Sequence, residues 1–155
     1  MREGANMAIY TSRFSNPQLK TEHYTAIQIS TGNPRWKLGY PIAASSKVLS
    51  PYGIFKKFTG QAFKDEYVKR LESIGVNAIM KELQSYEKYG NDIVLLCFED
   101  IRDPSKTCHR TMFADWWFEK TGVKITELAD PTVPRITEMP DNDGIHEAHE
   151  QMSLL

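Results

Sequence analysis

Five reactive side chains crowd one short stretch of this chain. Cys97 and Glu99 close the run Ile93-Val94-Leu95-Leu96-Cys97-Phe98-Glu99, and Cys108, His109 and Arg110 follow a short polar loop later. A carboxylate at the rim of a buried strand is partly desolvated and suits a general base or nucleophile, which makes Glu99 the leading catalytic candidate. His109 can act as its acid/base partner. Cys108 stands where a helix should begin, and free backbone amides there lower a thiol pKa, so it is a candidate nucleophile; Cys97, inside the strand, reads as a buried hydrophobe. Arg110 adds a bidentate grip on phosphate or carboxylate beside the same amides. Each residue also has a plainer reading. Glu99 can pair with Arg110 or Arg13, Arg110 with Glu99 or Asp103, and a histidine in a first turn can simply cap or pack.

The elements around these residues must place them together. The run from Asp92 to Glu99, continuously apolar and rich in β-branched residues, predicts a strand buried on both faces, as in a parallel sheet. Met7 to Ser12 predicts a first strand and Thr25 to Ser30 a second, the latter running into Thr31-Gly32-Asn33-Pro34-Arg35-Trp36, a turn whose amides can face an anion. Lys37 to Gly60 shows no period and reads as a long, functional loop. Phe63, Tyr67, Leu71 and Ile74 recur at helical spacing, and Gly75 should end that helix. A second helix is expected from Val76 to Tyr89, buried through Ile79, Met80 and Leu83. A third is expected from Cys108 to Thr121, capped by Thr107 or Ser105, with Met112, Phe113, Trp116 and Trp117 as two i,i+4 pairs. Gly122 stops it before a last strand at Val123 to Leu128. Strands alternating with helices predict an α/β fold: a single three-layer domain with a mostly parallel central sheet flanked by helices, Rossmann-like without a dinucleotide motif. In open sheets of this kind ligands bind at the carboxyl ends of the strands, where the reactive cluster lies.

The chain has 155 residues, 41% hydrophobic and 25% charged, enough for one domain with a real core. Residues 1–128 are expected to form it and residues 129–155, rich in Pro and acids, a tail. The net charge of −1 divides unevenly: the first part carries 18 Lys and Arg against 14 acids, the tail one Arg against six acids. No acid occurs between Glu22 and Asp65, while Arg35, Lys37, Lys47, Lys56, Lys57 and Lys64 interleave there with Trp36, Tyr40, Tyr52, Phe55 and Phe58. That segment favours an anionic partner, a nucleotide or nucleic acid. No run approaches the ~20 apolar residues of a membrane span and no signal core opens the chain, so a cytoplasmic protein with no membrane partner and two reduced thiols is expected.

Leu95-Leu96-Cys97-x-Glu99, the loop at Asp103-Pro104, Cys108-His109-Arg110 and the helix leading to Gly122-Val123 resemble an uncharacterised bacterial and phage family, numbered four-eight-eight among the domains of unknown function. Ile9-Tyr10-Thr11, Ser15-Asn16 and Pro34-Arg35 extend the resemblance over most of residues 7–128. Members usually carry Gly-His-Ser after the first strand, where this chain has Ser12-Arg13-Phe14-Ser15. The resemblance implies a compact α/β domain and a site at the Cys-His-Arg segment; it implies no particular reaction.

Other chemistries lack their residues. A cysteine phosphatase needs an arginine six residues after its cysteine, and the chain has Asp103 and Ala114 at those places. There is no Cys-x-x-Cys, no Walker lysine loop and no G-x-G-x-x-G, so no cofactor is expected. A metal held by Cys97, Glu99, Cys108 and His109 has suitable ligand types, but Cys108 and His109 adjacent in a helix would point about 100° apart, so no metal is expected there. His146 and His149, three apart in the tail, lack a third ligand. The leading expectation is a nucleotide- or nucleic-acid-directed enzyme, a hydrolase or transferase at a glycosidic or phosphoester bond. Glu99, His109 and Cys108 would do the chemistry, and Arg110, Arg13, Ser12, Thr31, Asn33, Arg35, Trp36 and Lys37 would hold the ligand. A binding module for the same ligands, and a redox-responsive thiol protein using Cys97 and Cys108, are the alternatives.

Overall fold

A computed structural model describes residues 8–136. Its sheet has five strands, β1 (Ile9–Arg13), β2 (Thr25–Gln28), β3 (Ala44–Ser45), β4 (Ile93–Cys97) and β5 (Thr126–Glu127), in the order β3-β2-β4-β1-β5, and every pairing is parallel. The helices are α1 (Gln18–Thr21), α2 (Gly60–Ile74), α3 (Val76–Ser85) and α4 (His109–Thr121), with a 3₁₀ turn at Tyr86–Tyr89. This is the α/β class expected.

β4 is central, and all five of its residues are buried, as its unbroken apolar composition requires. Alternate residues serve opposite faces. Ile93 and Leu95 join Ile27, Ile29, Tyr67, Leu71, Ile79, Phe113 and Trp117 on the face covered by α2, α3 and α4. Val94 and Leu96 join Ala26, Phe14, Leu19 and Leu128 on the other, where the single turn of α1 and the chain around Leu38–Ile42 take the place of a full helical layer. Connectivity explains this division. The steps from β1 to β2 and from β2 to β3 run one way across the sheet, those from β3 to β4 and from β4 to β5 run the other, and right-handed crossovers in opposite directions must use opposite faces.

The helical periodicity holds. Tyr67 and Leu71 of α2 and Ile79 of α3 are fully buried, Leu83 nearly so, and Phe113, Trp116 and Trp117 pack together on α4, with Phe113 and Trp117 ring centroids 5.7 Å apart. Gly75 takes φ +92° between α2 and α3, and Gly122 takes φ +77° where its N–H closes α4 on the Phe118 carbonyl. Boundaries differ from the sequence reading where hydrogen bonding overrides composition. The second strand stops at Gln28 and the last narrows to Thr126–Glu127. Residues 37–60 are not wholly irregular: Ala44 and Ser45 add an edge strand beside Ile27 and Gln28. Such a short strand has no periodicity to read.

The first residues of the expected tail lie on the domain. The Ala129 carbonyl accepts from the side-chain amides of Asn16 and Gln18, and Asp130 meets Arg13 at 2.7 Å. Residues 137–155, with His146 and His149, fall outside the described residues.

Candidate functional site

A crevice opens where neighbouring strands send their chains in opposite directions, and here that point lies between β2 and β4. The chain leaving β2 heads out to β3, while the chain leaving β4 returns through α4 toward β5. A cleft of about 530 Å³ sits there, floored by Cys97, Cys108 and His109, edged by Ser30, Thr31 and Glu99, and walled by Phe55, Phe58, Phe63, Phe98 and Met112. A second hollow, about 600 Å³, adjoins it through Gly32 and Phe98 and is lined by Asn33, Arg35 and Trp36.

The loop from β4 to α4 is folded so that its ends meet. The Asp103 carboxylate accepts from the Ser105 N–H at 3.0 Å and the Ser105 hydroxyl at 2.8 Å, turning the chain back over the strand end. Cys108 therefore arrives beside Cys97, and the two sulfurs are joined as a disulfide, with the Cα atoms 7.4 Å apart. The sequence reading of two reduced thiols rests on domain size and the lack of an export signal, and neither says how close two cysteines lie.

Cys108 is not the first helical residue but the N-cap of α4, with extended backbone at φ −146° and ψ 144°. Neither Thr107 nor Ser105 takes that position, and no side chain caps the helix. The extended backbone removes the 100° separation that argued against Cys108 and His109 sharing a ligand. The Cys108 sulfur lies 3.7 Å from His109 Nδ1, and the ligand atoms of Cys97, Cys108 and His109 all fall within 4.8 Å of one another.

His109 is nearly buried, with Nε2 2.6 Å from the Ile29 carbonyl and its ring edge-on to Tyr67. A carbonyl only accepts, so Nε2 carries the proton and Nδ1 presents its lone pair to Cys108. Burial lowers its pKa to about 4; the positive charge of Arg110 pushes the same way, and the Ile29 carbonyl opposes both. The imidazole is neutral near pH 7.

Arg110, expected to grip an anion, is fully buried. Its Nε and Nη2 donate to the two carboxylate oxygens of Glu127 at 3.0 and 2.8 Å, and Nη1 lies 3.1 Å from the Cys97 sulfur. Its ion-pair partner is Glu127 rather than Glu99. Because the guanidinium touches Cys97, that sulfur sits beside a positive charge rather than in purely apolar surroundings.

The other candidates scatter. Glu99 is partly exposed in the cleft, with Oε1 3.8 Å from Cys97 Sγ. Thr31 lies on the cleft edge, while Asn33 accepts from Gln28 Nε2 at 2.7 Å and borders the second hollow with Arg35 and Trp36. Lys37 is exposed and lines neither hollow. Ser12 is buried and donates to the Arg13 carbonyl; Arg13 is engaged with Asp130, Asp100 and Thr132, away from the cleft. The basic, aromatic segment partly satisfies itself, with Lys47 and Arg70 over the Tyr52 ring at 4.8 and 4.3 Å.

Sequence reasoning placed Phe55 and Phe58 in the basic, aromatic segment but not with Phe63 as one cleft wall; the three phenylalanines fall within nine residues just before and inside α2. It missed Glu127 altogether. The chain matches no family model, no curated protein and no solved structure. Among the described residues, no helix is long and apolar enough to cross a membrane.

Proposed function

We propose that this domain is a small enzyme acting on a nucleotide-like ligand, a flat heterocycle joined to an anionic group, seated in the cleft between β2 and β4. The observation that carries this reading is the composition of that cleft: aromatic walls from Phe55, Phe58, Phe63 and Phe98 with Glu99 and Thr31 at its edge. Rings of this kind stack a base whatever its sequence, and a few convergent polar groups then set orientation. Arg35, in the adjoining hollow, is the cation best placed for the anionic end. Arg110 orders the floor through Glu127 and Cys97 and does not hold the ligand. Glu99 is the general base at a glycosidic or phosphoester bond. The likeness of the Cys-x-Glu and Cys-His-Arg segments to the family of unknown function adds no reaction to this reading.

A second reading, a redox-responsive thiol protein, is favoured by the Cys97–Cys108 bond on the cleft floor. One experiment separates the two. The purified chain is screened by mass spectrometry against nucleosides, nucleotides and short oligonucleotides, oxidised and reduced, beside Glu99→Gln. Product from the native chain and none from Glu99→Gln, with binding kept, supports the enzyme. Binding without product in either protein overturns catalysis and leaves a binding module. Binding that appears in one redox state only, again without product, supports the thiol reading.

A further inference from the structure

We propose that Cys97, Cys108 and His109 hold a zinc-like divalent metal ion when the two thiols are reduced, and that the disulfide is the ion-free, oxidised form of the same site. This does not depend on the function proposed above.

Three observations carry it. Two cysteine sulfurs and one imidazole nitrogen lie within 4.8 Å of one another, so that, with the S–S bond opened, side-chain shifts of about 1 Å set them around one ion about 2.0–2.3 Å from each. The ligand types, two soft thiolates and an imidazole, are those that select zinc among the common divalent ions. Each flanking group is also already arranged as a metal ligand's outer partner should be. His109 donates Nε2–H to the Ile29 carbonyl, which leaves Nδ1 as the free donor atom facing Cys108, and an Arg110 N–H points at the Cys97 sulfur. A carbonyl behind the imidazole fixes its tautomer, and an N–H donor beside a thiolate stabilises its charge.

The backbone spacing fits this double use. The two Cα atoms stand 7.4 Å apart, beyond the roughly 4.4–6.8 Å that disulfides usually span, and an ion between the sulfurs accommodates a wider pair. Three protein ligands leave a fourth position for water or a ligand atom, as in catalytic zinc sites. All three residues line the cleft.

The chemistry balances in both directions. Loading releases two protons as both thiols become thiolates bound to the divalent ion. A peroxide of the hydrogen peroxide class then oxidises the pair: the thiolates lose two electrons and form the S–S bond, the ion leaves as M²⁺, and the peroxide takes two protons and becomes two waters.

The test uses the full chain, reduced with a phosphine, stripped with a chelator and titrated without oxygen with Co²⁺. One equivalent should bind, giving a thiolate-to-cobalt charge-transfer band and the strong visible absorption of tetrahedral cobalt, and Zn²⁺ should displace it. Cys108→Ser, which keeps a residue suited to an N-cap, should weaken binding by more than the roughly hundredfold ceiling for outer-shell changes. If Cys97→Ser does not fold, alkylation answers for it: Zn²⁺ should protect both thiols of the native chain from iodoacetamide. One equivalent of peroxide should release the metal in step with the loss of two thiols. A reduced, folded chain that shows only weak octahedral cobalt absorption, alkylates equally fast with Zn²⁺, or binds unchanged in Cys108→Ser overturns the site. Metal retained after both thiols are lost overturns the switch. Because every readout is spectroscopic or chemical, failure of the cleft to turn over a nucleotide leaves this result untouched.

Discussion

Arg110 and Glu127 form a two-pronged ion pair that ties the start of α4 to β5, with Nε–Oε1 at 3.0 Å and Nη2–Oε2 at 2.8 Å. The pair is lopsided: the Arg110 side chain is 0% exposed and that of Glu127 32%. A charge left alone in the interior costs far more than one left at the surface. Glu127→Gln, which strands the buried guanidinium, is expected to cost about 3 kcal/mol of folding stability, whereas Arg110→Met, which leaves a carboxylate that water can reach, is expected to cost roughly half as much. Urea denaturation of both variants checks the order; a costlier Arg110→Met would mean that packing, not charge, dominates there.

Acid should loosen the attachment of residues 129–132. Hydrogen bonds from Arg102 hold the Asp100 carboxyl below its ordinary range. Burial pushes the Asp130 carboxyl up, but hydrogen bonds from Arg13 and Thr132 more than reverse this. With folded pKa values below the unfolded 3.8, the unfolded chain takes up these protons first, so the stabilisation is present above about pH 4 and lost as pH falls through the folded values. Asp130→Asn should be less stable than the native chain at pH 7, with the gap closing in strong acid. A gap independent of pH would show that the carboxylate charge contributes nothing.

Reduction should destabilise the metal-free domain. The bond between Cys97 and Cys108 closes a loop with a sequence separation of 11, which in the chain-entropy account contributes about 3 kcal/mol less what the wide 7.4 Å span of the Cα atoms costs. Thermal unfolding with a chelator, with and without reductant, measures this. An unchanged midpoint would mean that the turns around Asp103 already hold the loop closed.

Ligand affinity should fall on removing the ring shared by the two hollows. Phe98 is 38% exposed and leans on Phe14 and Trp36, with ring centroids 5.0 and 6.0 Å away. Phe98→Ala is expected to weaken binding of a nucleotide-like ligand by about 1–3 kcal/mol while leaving the fold intact. Calorimetric titration of both proteins with the best ligand from the mass-spectrometric screen checks it, and equal affinities would place the ring of the ligand elsewhere.

The central strand, the three long helices with their buried faces, and the end of the sheet where the reactive side chains gather were all legible in the order of residues. Those follow from local composition: the unbroken apolar run of Ile93–Cys97, the four-residue spacing of Tyr67 and Leu71 and of Phe113 and Trp117, and glycines at Gly75 and Gly122. What each reactive side chain touches follows instead from how the elements pack. Glu127 meets Arg110 because β5 pairs with β1 beside α4, and Cys108 meets Cys97 because the loop turns on Asp103 and reaches the helix in extended form. Phe55 and Phe58 become a cleft wall because the chain beyond the edge strand β3 passes over the ends of β2 and β4 before α2 begins. Periodicity reports which face of an element is apolar and is silent on which distant residue will lie against it. That choice belongs to strand order and loop closure, which join residues far apart in the chain.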